Sequence, residues 1–227
     1  DCKQLILDMI DRQIERYLKQ FLDRDYGSDS FAKWAGGILG VELDARDFRR
    51  MSFEEAEAFA KDEAERLAEG QVLDAIEENL PEDADPSEWN WAALAKLVNT
   101  RWRMSVRDRD LRKIGREHLG EMIIEKAREA VQATDLSQGA RFLDPDFSVL
   151  SACGWIKHKF DVDVEVEEFR NLEYEPFRAR IAALARRVYH DKETEFPVMA
   201  GLYHFTTRDA SGHKRYDREK LAQWARD

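Results

Sequence analysis

The sequence predicts an all-α chain: one N-terminal helix followed by a helical repeat array of about 60-residue units, each a short helix, a turn and a long helix. Three observations carry this expectation. Asp47-Phe48-Arg49, Asp110-Leu111-Arg112 and Glu168-Phe169-Arg170 stand 63 residues (47 to 110) and then 58 residues (110 to 168) apart. The flanking positions fall into register without a gap: Trp34 with Leu97 and Trp155, Leu39 with Trp102 and Phe160, Val41 with Met104 and Val162, Leu43 with Val106 and Val164, Met51 with Ile114 and Leu172, and Ala64 with Ala127 and Ala185. Finally, the opening residues carry apolar side chains at the helical period rather than the strand period.

Residues 3–22 read as one amphipathic helix. Leu5, Ile6, Met9, Ile10, Ile14, Tyr17, Leu18 and Phe21 recur at three- and four-residue steps, while Asp, Arg, Lys and Gln fill the other face. A polar break over 23–30 follows. In the first unit a short helix carries Phe31, Trp34, Ala35 and Leu39, and Gly40 ends it by taking positive φ. Apolar and charged residues then alternate in Val41-Glu42-Leu43-Asp44 and again in Val162-Asp163-Val164-Glu165, enough for at most a very short strand. The Asp-Phe-Arg turn leads into the long helices, expected at 53–78, 117–132 and 176–195. Ser52 followed by Glu55 is a capping box, and Pro176 falls where a first turn tolerates proline.

An acidic, proline-bearing connector spans 77–88, and a second connector, with an Asp144-Pro145 turn, spans 135–146. Phe196-Pro197 opens a stretch expected to be less regular as far as Gly212. A fourth copy is expected from Tyr216, with Leu221 and Trp224 in the places of Phe31 and Trp34, so the chain reads as an excerpt from a longer protein. The expected boundaries are a leading helix at 1–22, units at 23–80, 81–138 and 139–212 (the last with an irregular tail), and the start of a further unit at 213–227. Trp34, Trp155, Leu39, Trp102, Phe160, Phe48 and Phe169 are expected in the core, packing each short helix on its long helix.

Composition narrows the function. Apolar residues make up 43% and charged residues 37%, which suits a helix-rich protein with well-solvated faces. The 36 basic and 47 acidic residues give a net charge of −11, which argues against general affinity for nucleic acid or anionic lipid. No apolar run approaches the ~18 residues that cross a bilayer, and no signal peptide is read at the start. Cys2 and Cys153 are too few for a disulfide framework or a zinc site and are expected as reduced thiols of a cytoplasmic protein. Gly36-Gly37 lacks the following Lys-Ser/Thr of a phosphate loop. His118, His158, His190, His204 and His213 are scattered without ligand spacing. Glu54-Glu55 and Glu77-Glu78 fit the solvated face of amphipathic helices. No catalytic residue, metal ligand or cofactor is expected.

Two surfaces remain as candidates. Arg101, Arg103, Arg107, Arg109, Arg112 and Lys113, with Trp102 and Arg116, form a basic patch. It reads either as a phosphate-binding, helix-turn-helix-like element or as charges paired with Asp108, Asp110, Glu117 and the acidic neighbouring units. The second reading is favoured, because nucleic-acid modules are generally basic overall. Phe196, Val198, Met199, Leu202, Tyr203 and Phe205 are the apolar residues least explained by internal packing. They are candidates for a protein-contact surface, although packing beneath the fourth unit is the favoured explanation.

Trp89-Asn90-Trp91-Ala92-Ala93-Leu94, together with Ala185-Arg186-Arg187-Val188-Tyr189-His190-Asp191-Lys192-Glu193, resembles the helical wing of SecA, the ATPase motor of bacterial preprotein translocation. The leading helix is similar to the end of SecA's long scaffold helix. This sequence departs from the family pattern in carrying three such units and the start of another where a usual wing has one. It also reads Met199-Ala200-Gly201-Leu202-Tyr203-His204-Phe205 where the family chain returns to the scaffold with Leu-x-x-Ile-Asp-x-x-Trp. The motor's nucleotide-binding motifs are absent from these residues and are expected N-terminal to them, so no ATPase residue carries over. The resemblance implies a non-catalytic scaffold and wing segment that contacts unfolded preprotein and the translocation channel and works with the rest of the motor in cis. It implies a cytoplasmic location, peripheral at the inner face of the membrane. The alternative is a free-standing helical-repeat adaptor between proteins, unrelated to secretion; a nucleic-acid module built on the basic patch ranks third, and an enzyme last.

Overall fold

The computed structural model describes residues 2–208 and 211–226, and its elements follow the apolar spacing closely. Nine α-helices, three short 3-10 segments and one two-stranded hairpin occur among the described residues. The helix α1 (Cys2–Phe21) buries Ile14, Leu18 and Phe21 at three- and four-residue steps, while Leu5, Ile6 and Met9 stay exposed. The next helix, α2 (Tyr26–Leu39), starts inside the stretch expected to be a polar break. Its polar residues stabilise the opening turns instead of breaking them: the Ser28 hydroxyl donates to the Asp25 carbonyl at 3.0 Å, and Lys33 pairs with Asp29 four residues earlier. Gly40 ends α2 at φ 70°, as the sequence predicts.

A 3-10 turn, Ala45–Phe48, precedes α3 (Phe53–Asn79). The capping box is complete: the Glu55 amide donates to Ser52 Oγ at 3.2 Å, and the Ser52 amide donates to Glu55 Oε2 at 2.8 Å. Then come α4 (Trp91–Trp102), α5 (Asp108–Ile114) and α6 (Arg116–Gln132). A 3-10 segment, Ser137–Phe142, lies within the second connector, and α7 (Phe147–Phe160) follows it. After a short 3-10 turn, Val166–Glu168, the chain enters α8 (Tyr174–His204). Strands β1 (Thr206–Arg208) and β2 (Lys214–Tyr216) pair antiparallel, with Thr206 opposite Tyr216, and α9 (Arg218–Trp224) is the last described helix.

The all-α expectation holds. Two local expectations do not: the polar break over 23–30, where α2 starts, and the irregular stretch after Phe196. The stretch 41–44 and its counterpart 162–165, expected to hold at most a very short strand, form none; Val41, Leu43, Val162 and Val164 are half-buried, and no strand among the described residues pairs with them. The stretch from Phe196 to Gly212 is more regular than its Phe-Pro start suggests, because α8 runs through Pro197 to His204 before the hairpin begins. Proline removes the bond to the carbonyl four residues back. Here that loss falls in a wholly exposed run, 191–200, where water can take the bond.

Left-handed backbone follows α2, α4 and α7. Gly40, Arg103 and Asp161 all take left-handed φ, at 70°, 52° and 57°. Arg50 and Asn171 do the same at 63° and 64°, while between them α5 replaces the 3-10 turn and Gly115 takes φ 82° two residues late. The turn anchors Phe48, Leu111 and Phe169 are each fully buried.

Two compact units result. In the unit Arg24–Ser148, one core joins α2, its 3-10 turn and the first half of α3 with Leu136. A second core joins the rest of α3 with α4, α5 and α6. Ala56, Ala60, Ala64 and Ala68 form a small-residue ridge on the buried side of α3. Gly139 lets the connector close over α2: a Cβ there would lie 2.5 Å from the Trp34 ring. The other unit comprises Asp1–Asp23 and Val149–Asp227. In it Tyr17 packs on Trp155 with ring centroids 5.0 Å apart, and Phe169 packs on Phe177 at 4.8 Å. Trp34, Trp155, Leu39 and Phe160 are half-buried, while Trp102, Phe48 and Phe169 are buried.

Candidate functional site

The C-terminal half of α8 carries the candidate contact residues, and α1 determines how they are presented. Lys3 pairs with Glu193 at 2.7 Å and Arg186 pairs with Asp11 at 2.8 Å, so α1 lies antiparallel along α8. The Lys3 ammonium also stands 6.0 Å from the centre of the Tyr189 ring. From residue 191 to 200 every side chain of α8 is exposed.

The six candidate residues separate into two groups. At 100° per residue, Phe196, Met199 and Tyr203 share one stripe of the helix. They are 75%, 58% and 87% exposed. Val198, at 54% exposure, and Leu202 lie on a different face. Leu202 and Phe205 are half-buried, and Phe205 packs on Trp224 of α9 with ring centroids 6.4 Å apart. Gly201 lies beneath that Trp224 ring, where a Cβ would come within 2.5 Å of it. Phe205 thus packs on Trp224 and Leu202 is half-buried, whereas Phe196, Val198, Met199 and Tyr203 are open to solvent. Sequence reasoning missed Leu5 and Met9. They sit one turn apart on the same unit and are 63% and 64% exposed. Their spacing reads as core, and only the fold shows that both stay in solvent although α8 lies alongside α1.

The basic patch is largely committed within the chain. Arg101 donates to the Gly40 carbonyl at 2.6 Å and to Gln71 Oε1 at 2.7 Å, capping the end of α2 from 61 residues away. Arg107 and Arg109 both face Asp110, at 3.1 and 3.8 Å. Arg112 reaches Asp108 at 3.9 Å and lies over the Trp91 ring. Arg103 and Lys113 are exposed. Arg116 donates to the Leu80 carbonyl at 2.7 Å, closing the end of α3, and pairs with Glu77 at 2.6 Å. Arg101, Arg107, Arg109, Arg112 and Arg116 thus each meet an acidic, amide or carbonyl oxygen. Of the histidines, His204 stacks edge-on against Phe205, and His213 Nδ1 lies 3.0 Å from Ser211 Oγ.

No helix among the described residues is long and apolar enough to cross a membrane. The chain is 39% identical over 223 residues to protein translocase subunit SecA 1 of Rhodopirellula baltica. The match covers 98% of this chain and 18% of that protein, so the chain spans less than a fifth of its relative's length. No family model matches the chain, and no solved structure matches it. The likeness read from residues 89–94 and 185–193 therefore extends over nearly the whole chain, which is similar to one segment of that SecA protein.

Proposed function

We propose that this chain is a non-catalytic scaffold and wing segment of a protein-translocation motor, and that it contacts unfolded preprotein through the exposed apolar stripe of α8. The observation that carries the first half is the 39% identity to SecA 1 across almost the entire chain. Support for the second half comes from Phe196, Met199 and Tyr203, which stand open in a row on an exposed stretch of α8, with Val198 also open on the adjoining face. Aromatic and thioether side chains adapt to varied apolar partners, and an unfolded chain offers such partners at short intervals. The translocation channel and the remainder of the motor are the further partners in this reading, which places the segment on the cytoplasmic side of the membrane. The segment itself takes no cofactor in this reading.

Binding to a secretory preprotein, kept unfolded or allowed to fold, tests the proposal. The expected result is binding of the unfolded form with little dependence on salt, because apolar contacts are not screened. Equal binding of the folded form would favour the adaptor reading. Binding of neither form would remove the contact surface.

A further inference from the structure

We propose that a hollow in the unit Arg24–Ser148 binds the carboxylate of an acidic peptide segment and seats an adjoining apolar side chain on its floor. The hollow encloses about 530 Å3 between the start of α2, the turn before α3 and the loop before α7. Arg24, Arg49 and Arg50 line it against Asp25 and Asp144, a surplus of one positive charge in a chain whose net charge is −11.

The pairing inside the hollow determines which arginines are available. Arg49 is engaged: its Nε donates to Asp25 Oδ1 at 2.7 Å and its Nη2 donates to the other carboxylate oxygen. Asp144 accepts the Asp146 amide at 2.8 Å. Arg24 comes only within 3.8 Å of Asp25, and its side chain is 81% exposed. Arg50 is exposed and makes no ion pair among the described residues. Two guanidinium forks on different walls thus remain for an incoming oxyanion, and their planar geometry suits a carboxylate.

The floor decides between ligands. Met51, Phe142, Leu143 and Pro145 supply apolar surface. The walls are held in place by Tyr26 stacked on Phe147 at 5.2 Å and Phe142 edge-on to Phe147 at the same distance. A bare inorganic anion would fill a small part of the volume and leave the floor wet. A nucleic acid or an anionic membrane would meet the repulsion of a −11 chain over its whole length. A short peptide with a carboxylate beside an apolar residue uses both the arginines and the floor.

Calorimetric titration of the full chain with acetyl-Glu-Leu-Glu-amide, against acetyl-Gln-Leu-Gln-amide, tests the proposal. The glutamate peptide is expected to bind at least about tenfold more tightly. The double variant Arg24→Gln/Arg50→Gln should lose about tenfold for the glutamate peptide, while Arg103→Gln/Arg109→Gln should not change it. No binding of the glutamate peptide, equal binding of the two peptides, or an unaffected Arg24/Arg50 variant would overturn the assignment. Displacement of the peptide by sodium phosphate at equal concentration and fixed ionic strength would overturn it in favour of a bare-anion site. The two-peptide comparison on the parent chain stands even if the double variant fails to fold.

Discussion

The guanidinium of Arg101 donates to the main-chain carbonyl of Gly40 at 2.6 Å, joining the last turn of α4 to the cap of α2. A residue that reads in sequence as part of a basic patch is thus a helix C-cap supplied from a distance. It also donates to Gln71 on α3, so one side chain ties three helices of one compact unit together. Arg116 repeats the arrangement at the Leu80 carbonyl, and Lys61 reaches the Gln132 carbonyl at 3.2 Å. In each case a positive charge meets the negative end of a helix.

Arg101→Gln should therefore lower stability by about 1 kcal/mol, the net worth of a hydrogen bond of this kind. Its partners are a carbonyl and an amide, so the loss should persist at high salt. Urea unfolding at low and at 0.5 M salt checks this; a loss confined to low salt would point to a screened surface charge instead.

The left-handed turns set opposite expectations for two substitutions at corresponding places. Gly40→Ala puts a Cβ into φ 70° and should cost about 1 kcal/mol. Arg103→Gly removes the same strain at φ 52° and should gain a few tenths to about 1 kcal/mol. Thermal melts of the two variants against the parent should shift in opposite directions.

Close packing distinguishes the two glycines that lie under tryptophan rings. Gly139→Ala should cost about 1 to 3 kcal/mol, because the half-buried Trp34 and fully buried Phe31 have no free space to yield. Gly201→Ala should cost less, since Trp224 is 39% exposed and can swing outward. Near-ultraviolet circular dichroism, paired with melting, separates a displaced ring from lost stability.

Acid should expose the turn before α3. The Arg46 guanidinium and amide hold the Asp44 carboxyl down from its ordinary 3.8 to about 2. A folded-state value below the unfolded one means stability that is present in full above about pH 4 and is lost as pH falls through about 2. The difference in melting temperature between the parent and Arg46→Gln should therefore shrink from pH 5 to pH 2. A constant difference would show that the pair does not contribute through ionisation.

Much of this fold is legible in the sequence because its signals are local. Ser52 and Glu55 lie within one helical turn, Gly40 needs only its own φ, and the helical period of α1 is visible in its apolar residues. What escapes is set by distant or solvent partners. Arg101 and Gly40 are 61 residues apart, so the cap cannot be read from either neighbourhood. Pro197 reads as a breaker, yet α8 continues because the lost bond falls where water can replace it. The six candidate residues are nameable as a group, but only the fold of α9 over Gly201 sets Phe205, packed on Trp224, apart from the four residues left in solvent. The Arg24–Arg50 hollow had no sequence signal at all, since its walls come from segments about a hundred residues apart.

Photocrosslinking from the α8 stripe tests the central proposal most directly. A photoreactive residue in place of Met199, with a second variant carrying it at Arg109 as a control, is mixed with a labelled unfolded preprotein and with the same protein folded. Both positions are exposed, so reach is comparable. The account predicts adducts from position 199 with the unfolded form and essentially none from 109. Equal labelling at both positions, or no labelling at 199, would contradict it.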